Sequence, residues 1–223
     1  MKDIISQALS NVDNLPKKVK RRKEIIKAAA QLFSQKSYHD VTMEEVASAL
    51  GVAKGTLYLY FESKEKLYLS ILESGFEAIQ SLIGEVQRGK DPAPLKLKNI
   101  LKLIFRFYRQ NIDVLRILTR DETHLIREHF EFTEFWKNRG VRVYERILER
   151  GVKEGSLRPI NTRLTAIMIF GLIRSVLFHY DSKKSAEKVA EEVFSIIEKG
   201  ILSPPGELHY SHKTQGSYSN KNP

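Results

Sequence analysis

Val41-Thr42-Met43-Glu44-Glu45-Val46-Ala47-Ser48-Ala49-Leu50-Gly51-Val52-Ala53-Lys54-Gly55-Thr56-Leu57-Tyr58-Leu59-Tyr60-Phe61-Glu62-Ser63-Lys64 is the stretch that decides the fold. Thr42 is a good helix N-cap, because its hydroxyl can accept from backbone N–H groups that a first helical turn leaves unpaired. Glu45, three residues on, completes a capping-box pattern. Met43, Val46, Ala47 and Leu50 then recur at the i, i+3, i+4, i+7 spacing of a single helical face. Gly51 stops this helix as a left-handed C-cap does. After the link Gly51–Ala53 a second short helix spans Lys54 to Tyr60, and Ser63 caps a long helix from Lys64 to about Val86. Two short helices joined by a glycine turn are the layout of a helix-turn-helix. On the second of them Leu57 and Phe61 share the inward face. Gly55, Thr56, Tyr58 and Leu59 point outward or sideways, so small and hydrogen-bonding groups are exposed. Gly55 lets the backbone approach another surface closely, and the hydroxyls of Thr56, Tyr58 and Tyr60 can bond phosphate oxygens. Lys64 can neutralise a phosphate, Lys54 can reach a phosphate or a guanine edge, and Leu59 can touch a thymine methyl.

Working outward, helical periodicity continues along nearly the whole chain and strand signals are scarce. Turn residues punctuate it at Gly89 to Pro94, Gly151 to Pro159, Asp181 to Ser185 and Gly200 to Gly206. Apolar stripes mark helices at 95–110, 112–119, 122–152, 162–180 and 185–201, and the fold class read from them is all-α. The segment from Asn161 to Tyr180 is apolar nearly all round, which is the mark of a helix covered on more than one side. Upstream of the motif, Lys17 to Lys23 are basic at every position but Val19 and lead into Ile25, Ile26, Ala29, Leu32 and Phe33. This reads as a basic arm entering an amphipathic helix, with Lys20, Arg21 and Arg22 as phosphate contacts. From Ser203 the chain is polar and rich in Ser, Lys, Asn and Gly, the composition of a disordered tail. There is no internal repeat.

Composition narrows the function. The 223 residues are 42% hydrophobic, enough for a substantial core, and the net charge of +10 at a pI near 9.6 favours an anionic partner. The chain has no cysteine, which removes disulfides, thiolate nucleophiles and Cys-based metal sites. No signal peptide is legible before Lys23, and the longest apolar run, Ala166 to Ile173, falls short of the roughly 18 residues of a membrane helix. A cytoplasmic protein with no membrane partner is therefore expected. An enzyme is not: there is no glycine-rich phosphate loop, nucleophile elbow or HExxH. His124 and His129 are five apart and off a common helical face, and His209 and His212 lie in the polar tail, so no metal and no cofactor is expected.

The segment Val41–Ala47, Leu50–Phe61 and Ser63-Lys64-Glu65-Lys66-Leu67 resembles the DNA-binding signature of the TetR family of transcriptional regulators, a resemblance carried by residues 20–68. The resemblance implies an N-terminal three-helix DNA-binding domain followed by a C-terminal helical ligand-binding and dimerisation domain. The corresponding divisions are a flexible arm 1–16, a helix-turn-helix domain 17–66, an effector and dimerisation domain 67–202, and a tail 203–223. It implies that Thr42 caps its helix against a phosphate, that Ala53, Lys54, Gly55, Thr56 and Tyr58 face the major groove, and that Tyr60 and Lys64 clamp the backbone. It further implies a homodimer built through the last two long helices, with Gly171, Ser175, Phe178, His179, Val193, Phe194 and Ile197 at the interface. The effector cavity would take Phe76, Ile79, Phe105, Tyr108, Leu118, Phe130, Phe135, Trp136, Tyr144, Ile147, Phe170 and Arg174. The expected function is a repressor released from a palindromic operator by a small, largely apolar effector, whether fatty-acyl, aromatic or drug-like. An architectural DNA-binding protein without an effector is the alternative, since periodicity does not reveal cavities.

Overall fold

A computed structural model describes residues 16–120, 127–180 and 183–199. The N-terminal arm before Pro16, the tail from Ser203, and His124, His209 and His212 lie outside the described residues. Among the described residues the structure is helical without strands. In chain order it has α1 (Lys17–Gln35), α2 (Met43–Ala49), α3 (Lys54–Tyr58), α4 (Lys64–Arg88), α5 (Ala93–Gln110), α6 (Ile112–Arg120), α7 (Phe130–Lys153), α8 (Thr162–His179) and α9 (Ala186–Lys199).

Local chemistry sets the boundaries. Both halves of the capping box at α2 are formed: the Glu45 N–H donates to Thr42 Oγ1 at 3.2 Å, and the Thr42 N–H donates to Glu45 Oε2 at 2.9 Å. Lys36 Nζ, 2.6 Å from Glu45 Oε1, fixes this carboxylate from the end of α1. Gly51 carries a φ of 63°, the left-handed conformation that an L side chain resists. Ser63 caps α4 by accepting from the Lys66 N–H, and Asn161 caps α8 by accepting from the Leu164 N–H. α3 is shorter than the periodicity predicts. The N–H groups of Tyr60 and Phe61 both turn back to the Leu57 carbonyl, closing the helix in a tight last turn.

Two cores form, and α4 runs through both. The first gathers Ile25, Ala29 and Phe33 of α1, Val46 and Ala47 of α2, Leu57 and Phe61 around α3, and Leu67 to Leu72 of α4. Phe33, Tyr38 and Tyr68 meet edge-on or stacked, with centroids 4.9–6.2 Å apart. The second core joins the rest of α4 to α5, α7, α8 and α9. Lys96 of α5 is almost fully buried there, and its Nζ donates to the Gln87 carbonyl at 2.6 Å, placing a cation at the C-terminal end of α4 where the helix dipole favours one.

α6 belongs to both halves. It packs on α1 and α4 as well as on α5 and α8, and its Ile117 is fully buried in the first core. Gly75 permits the crossing with α4, since a Cβ there would stand 3.0 Å from a Val114 methyl.

Within one protomer α8 buries Ala166, Ile169 and Ile173, while Leu164, Ile167 and Met168 are exposed, Met168 at 63%. Taken over Thr162–His179, with a mean hydropathy of 1.3, it is also long and apolar enough to cross a membrane by length and composition alone. The estimate from the run Ala166–Ile173 was too short because it stopped at Arg174, whereas an 18-residue span tolerates an isolated charge.

Leu57 is the anchor of α3. Its replacement by alanine is expected to destabilise the protein by about 2–5 kcal/mol in urea unfolding; a change under about 1 kcal/mol would show that α3 is held some other way.

Candidate nucleic-acid interface and ligand cavity

Leu57 holds α3 from beneath, so Lys54, Gly55, Tyr58 and Leu59 stand on the surface in succession, Leu59 at 75% exposure. Ala53, the N-cap, is exposed beside them, while Thr56 and Tyr60 are half-buried. A Cβ added at Gly55 would meet nothing within 4 Å. Glycine inside a helix costs about 0.5–1 kcal/mol relative to alanine, and nothing in the protomer requires it here. Lys54 is held in place: its ammonium pairs with Glu44 of α2 and lies 5.8 Å from the centroid of the Tyr58 ring. The hydrogen bond from Lys54 holds the Glu44 carboxyl below the usual carboxylate range, and the same bond raises Lys54 above the usual lysine range. Both groups are exposed, so water screens the pair and an incoming anion can displace Glu44.

The basic run is not an extended arm. Lys17 to Lys23 form the first turns of α1, started by the Pro16 carbonyl, which accepts from the N–H groups of Val19 and Lys20. Lys and Arg are good helix formers, which the reading of a charge run as an arm overlooked. With no acidic residue in that first turn, the side-chain cations and the positive end of the helix dipole add instead of cancelling. Lys17, Lys18, Lys20, Arg21 and Glu24 of α1 line a shallow groove together with Leu59 and Tyr60. The groove therefore continues the exposed face of α3.

Three predicted phosphate contacts have partners within the protomer. Arg21 pairs with Glu24 one turn along α1 at 2.6 Å. Arg22 donates to Ser70 Oγ at 3.0 Å and lies 4.8 Å from the Phe61 ring centroid, tying α1 to α4. Lys64 Nζ donates to the Tyr38 carbonyl at 2.9 Å over the Tyr38 ring, so it fastens the α1–α2 loop to the start of α4. Thr42 stays exposed at the end of α2.

The second core encloses a cavity of about 350 Å³ among α4, α5, α6, α7 and α8. Phe76, Ile79, Tyr108, Leu118, Phe130, Trp136, Tyr144, Phe170 and Arg174 of the predicted set line it. Phe105 and Ile147 do not: both are buried in the surrounding core. Phe135 faces outward, meeting only Trp136 edge-on at 5.3 Å. The lining of α7 follows Phe132, Trp136, Gly140 and Val143, a single helical face from which Phe135 is turned away, whereas Ile147 continues that face beyond Tyr144, the last α7 residue to reach the cavity. Phe132, Ile83, Val143, Ile173 and Leu177 were missed, although their helical spacing from Phe76–Ile79 and Phe170–Arg174 was available as a signal. Phe76 stacks on Trp136 at 5.0 Å, with Phe132 within 6.4 Å of both.

The predicted dimer residues divide. Gly171, Ser175 and His179 are exposed on α8, and Gly171 also has nothing within 4 Å of a Cβ. Phe178 lines the cavity, with the Arg174 guanidinium 5.1 Å from its ring centroid. Val193 and Phe194 are buried inside the protomer, on the face that α9 packs against α5, and Ile197 is partly buried beside them. They are unavailable to a partner, because the apolar stripe of α9 is needed to close its own core.

The cavity and the first core share walls. Leu72 is buried in the first core and lines the cavity; Ile117 fills the first core and its neighbour Leu118 lines the cavity.

Comparison with known proteins agrees with this anatomy. Residues 25–71 match the family model described as bacterial regulatory proteins, tetR family, and residues 90–201 match the tetracyclin repressor-like C-terminal domain. The HTH-type transcriptional repressor KstR2 of Mycolicibacterium smegmatis is 25% identical over 199 residues, covering 85% of this chain and 94% of the relative. The nucleoid occlusion factor SlmA of Vibrio campbellii is 25% identical over 164 residues, 72% of this chain and 84% of its own. Among solved structures, the fatty acid degradation regulator FadR from Bacillus halodurans superposes with a TM-score of 0.70 at 25% identity, over 81% of this chain and 96% of that one.

Burial makes the cavity's phenols resistant to ionisation. It pushes Tyr108 up to about 12 and raises Tyr144 further, with the nearby Tyr108 adding to the effect. Unfolded tyrosines ionise near pH 10, so between about pH 10 and 12 the unfolded chain releases protons that the folded chain keeps, and unfolding becomes easier. Denaturation midpoints are expected to fall across that window and to fall less in a Tyr108→Phe, Tyr144→Phe variant. An identical decline in the variant would assign the alkaline loss to other groups.

Proposed function

The chain belongs to the TetR family of bacterial regulatory proteins, and from that premise we propose that it is a dimeric repressor released from a palindromic operator by a small, largely apolar effector. The observation that carries the reading is the shared wall: α4 and α6 contribute residues both to the cavity and to the core that supports α3. A ligand that changes how Leu72, Phe76 and Leu118 pack must also change how α4 and α6 seat against α1. An architectural protein would have no use for such a cavity.

In this reading α3 enters the major groove. Gly55 admits the close approach of the duplex, Lys54 leaves Glu44 for a base edge or a phosphate, and Ala53, Thr56 and Tyr58 complete the contact face. Lys17, Lys18, Lys20 and Arg21, with Tyr60 of the same groove, hold the adjoining backbone. The positive helix end there favours phosphate without regard to sequence. Arg22 and Lys64 act one step back, by holding α1 and α4 in the positions that present these groups.

One short recognition helix reads few base pairs, so a two-fold partner supplying a second half-site follows from the mechanism. The exposed apolar face of α8, Leu164, Met168, Gly171 and Ser175 at helical spacing, is the surface assigned to that partner. Gly171 lets two such helices approach closely. An isologous contact on this face fixes the distance between the two α3 helices, and the effector alters that distance through α4. Coupling of about 1–3 kcal/mol changes operator affinity roughly 5- to 150-fold, and the operator must weaken effector binding by the same factor.

Selection of duplexes from a random pool by the purified protein is expected to return an inverted repeat, bound with an affinity that falls steeply as salt rises. Recovery of unrelated sequences held equally well would sink the site-specific reading in favour of the architectural one. Met168→Glu is expected to leave the fold intact, convert the dimer to a monomer in size-exclusion chromatography with light scattering, and remove binding to the inverted repeat. A dimer that survives the substitution would move the interface away from α8.

A further inference from the structure

The cavity is apolar except at a few points, and most of those already have partners. Lys137 pairs with Glu134 one helical turn away, and the Thr133 hydroxyl donates to the Phe130 carbonyl at 2.9 Å. Arg174 is exposed at the rim, over the face of Phe178. The exceptions are the Gln80 amide of α4 and the phenol hydroxyls of Tyr108 on α5 and Tyr144 on α7. Tyr144 is 3% exposed as a residue, and neither hydroxyl has a hydrogen-bond partner among the described residues. Among those residues the one buried side-chain polar atom with neither a partner nor open space around it is Gln110 Oε1, so both hydroxyls open onto the cavity they line. Both side chains line the same cavity, Tyr108 from α5 and Tyr144 from α7.

A hydroxyl that faces a cavity without a protein partner is free to bond a ligand or a water held there. Both phenols remain protonated across the physiological range, so they offer hydrogens and no charge. An sp² oxygen, with two lone pairs, can accept from both at once. A carboxylate in that position would lose its hydration with no unpaired cation on the cavity wall to replace it. The body of such a ligand would lie among Phe76, Phe132, Trp136 and Phe170, whose flat faces favour another ring system over a flexible chain.

We propose that the cavity binds an uncharged aromatic ligand carrying a carbonyl oxygen, and that Tyr108 and Tyr144 select it by donating hydrogen bonds to that oxygen. This rests on the reading of the cavity as the effector site and states which chemistry it recognises. The two tyrosines are specificity determinants, while the aromatic wall supplies most of the affinity.

The test uses three probes of one shape: benzophenone, diphenylmethane, which has a methylene in place of the carbonyl, and diphenylacetate, which has an anionic head. Their binding to the full chain is measured by equilibrium dialysis, with quenching of Trp136, the sole tryptophan and a member of the cavity wall, as the second readout. Benzophenone is expected to bind about tenfold more tightly than diphenylmethane, the ratio that one well-made buried hydrogen bond sustains. In a Tyr108→Phe, Tyr144→Phe variant the rings and packing are kept, so diphenylmethane binding should be unchanged while the benzophenone advantage disappears. If the double variant does not fold, each single variant should reduce the advantage. Equal binding of benzophenone and diphenylmethane to the unaltered protein overturns the proposal but leaves an apolar effector site standing. Tightest binding of diphenylacetate, lost in Arg174→Met, overturns it in favour of an anion held at the rim. No binding of any probe overturns it together with the effector reading.

Discussion

The structure depends on one helix having to satisfy two cores. α4 begins at a serine cap, buries Leu67 to Leu72 under the helix-turn-helix, and then buries Ile79 and Ile83 in the larger helical body. A close-packed interior does not deform smoothly, so a helix shared between two such interiors transmits a change of seating as a rigid displacement. α6 adds a second connection of the same kind, nine residues long, with Ile117 fixed in one core and Leu118 facing the cavity of the other. The small domain is thus never independent of the cavity, whatever occupies it.

The cavity itself follows from aromatic residues that cannot all interdigitate. Phe76 of α4 stacks on Trp136 of α7, Phe132 meets the first tilted and the second edge-on, and all three line the cavity that extends to α8. Flat side chains enclose volume where branched aliphatic ones would close it. The remainder of the second core packs aliphatic residues such as Leu97, Ile100, Ala190 and Val193 around the buried rings of Phe105, Phe107 and Phe194.

The helix-turn-helix was readable from the sequence because its signals are local. A capping box, a left-handed glycine and apolar spacing over two turns depend on residues three to nine apart, and the structure has each of them at Thr42–Glu45, Gly51 and Met43–Ala47. The intramolecular partners of Arg22 and Lys64 were not legible, for the opposite reason. Ser70 is 48 residues from Arg22 and Tyr38 is 26 from Lys64, and a cation's partner at that distance is set by packing. The same limit applies to α8 and α9. Periodicity shows that Phe178, Val193 and Phe194 are on apolar faces, yet only the packed structure tells which apolar face turns toward the cavity, the protomer's own core or the outside. The helical continuation of Lys17 to Lys23 was within reach, and was missed because charge was weighed ahead of helix propensity.

The ion pair between Lys54 and Glu44 has a consequence for how such a protein searches a chromosome. Nearly every stretch of duplex that it meets is the wrong one, and what holds it there is phosphate attraction alone. A lysine already neutralised by a neighbouring carboxylate adds little to that indiscriminate hold, so the time lost on each wrong stretch is shortened. In the proposed complex the ammonium exchanges Glu44 for a base edge or a phosphate, so every contact made by Lys54 is a replacement of one partner by another. In that reading the carboxylate beside α3 sets a threshold that any partner of Lys54 has to exceed.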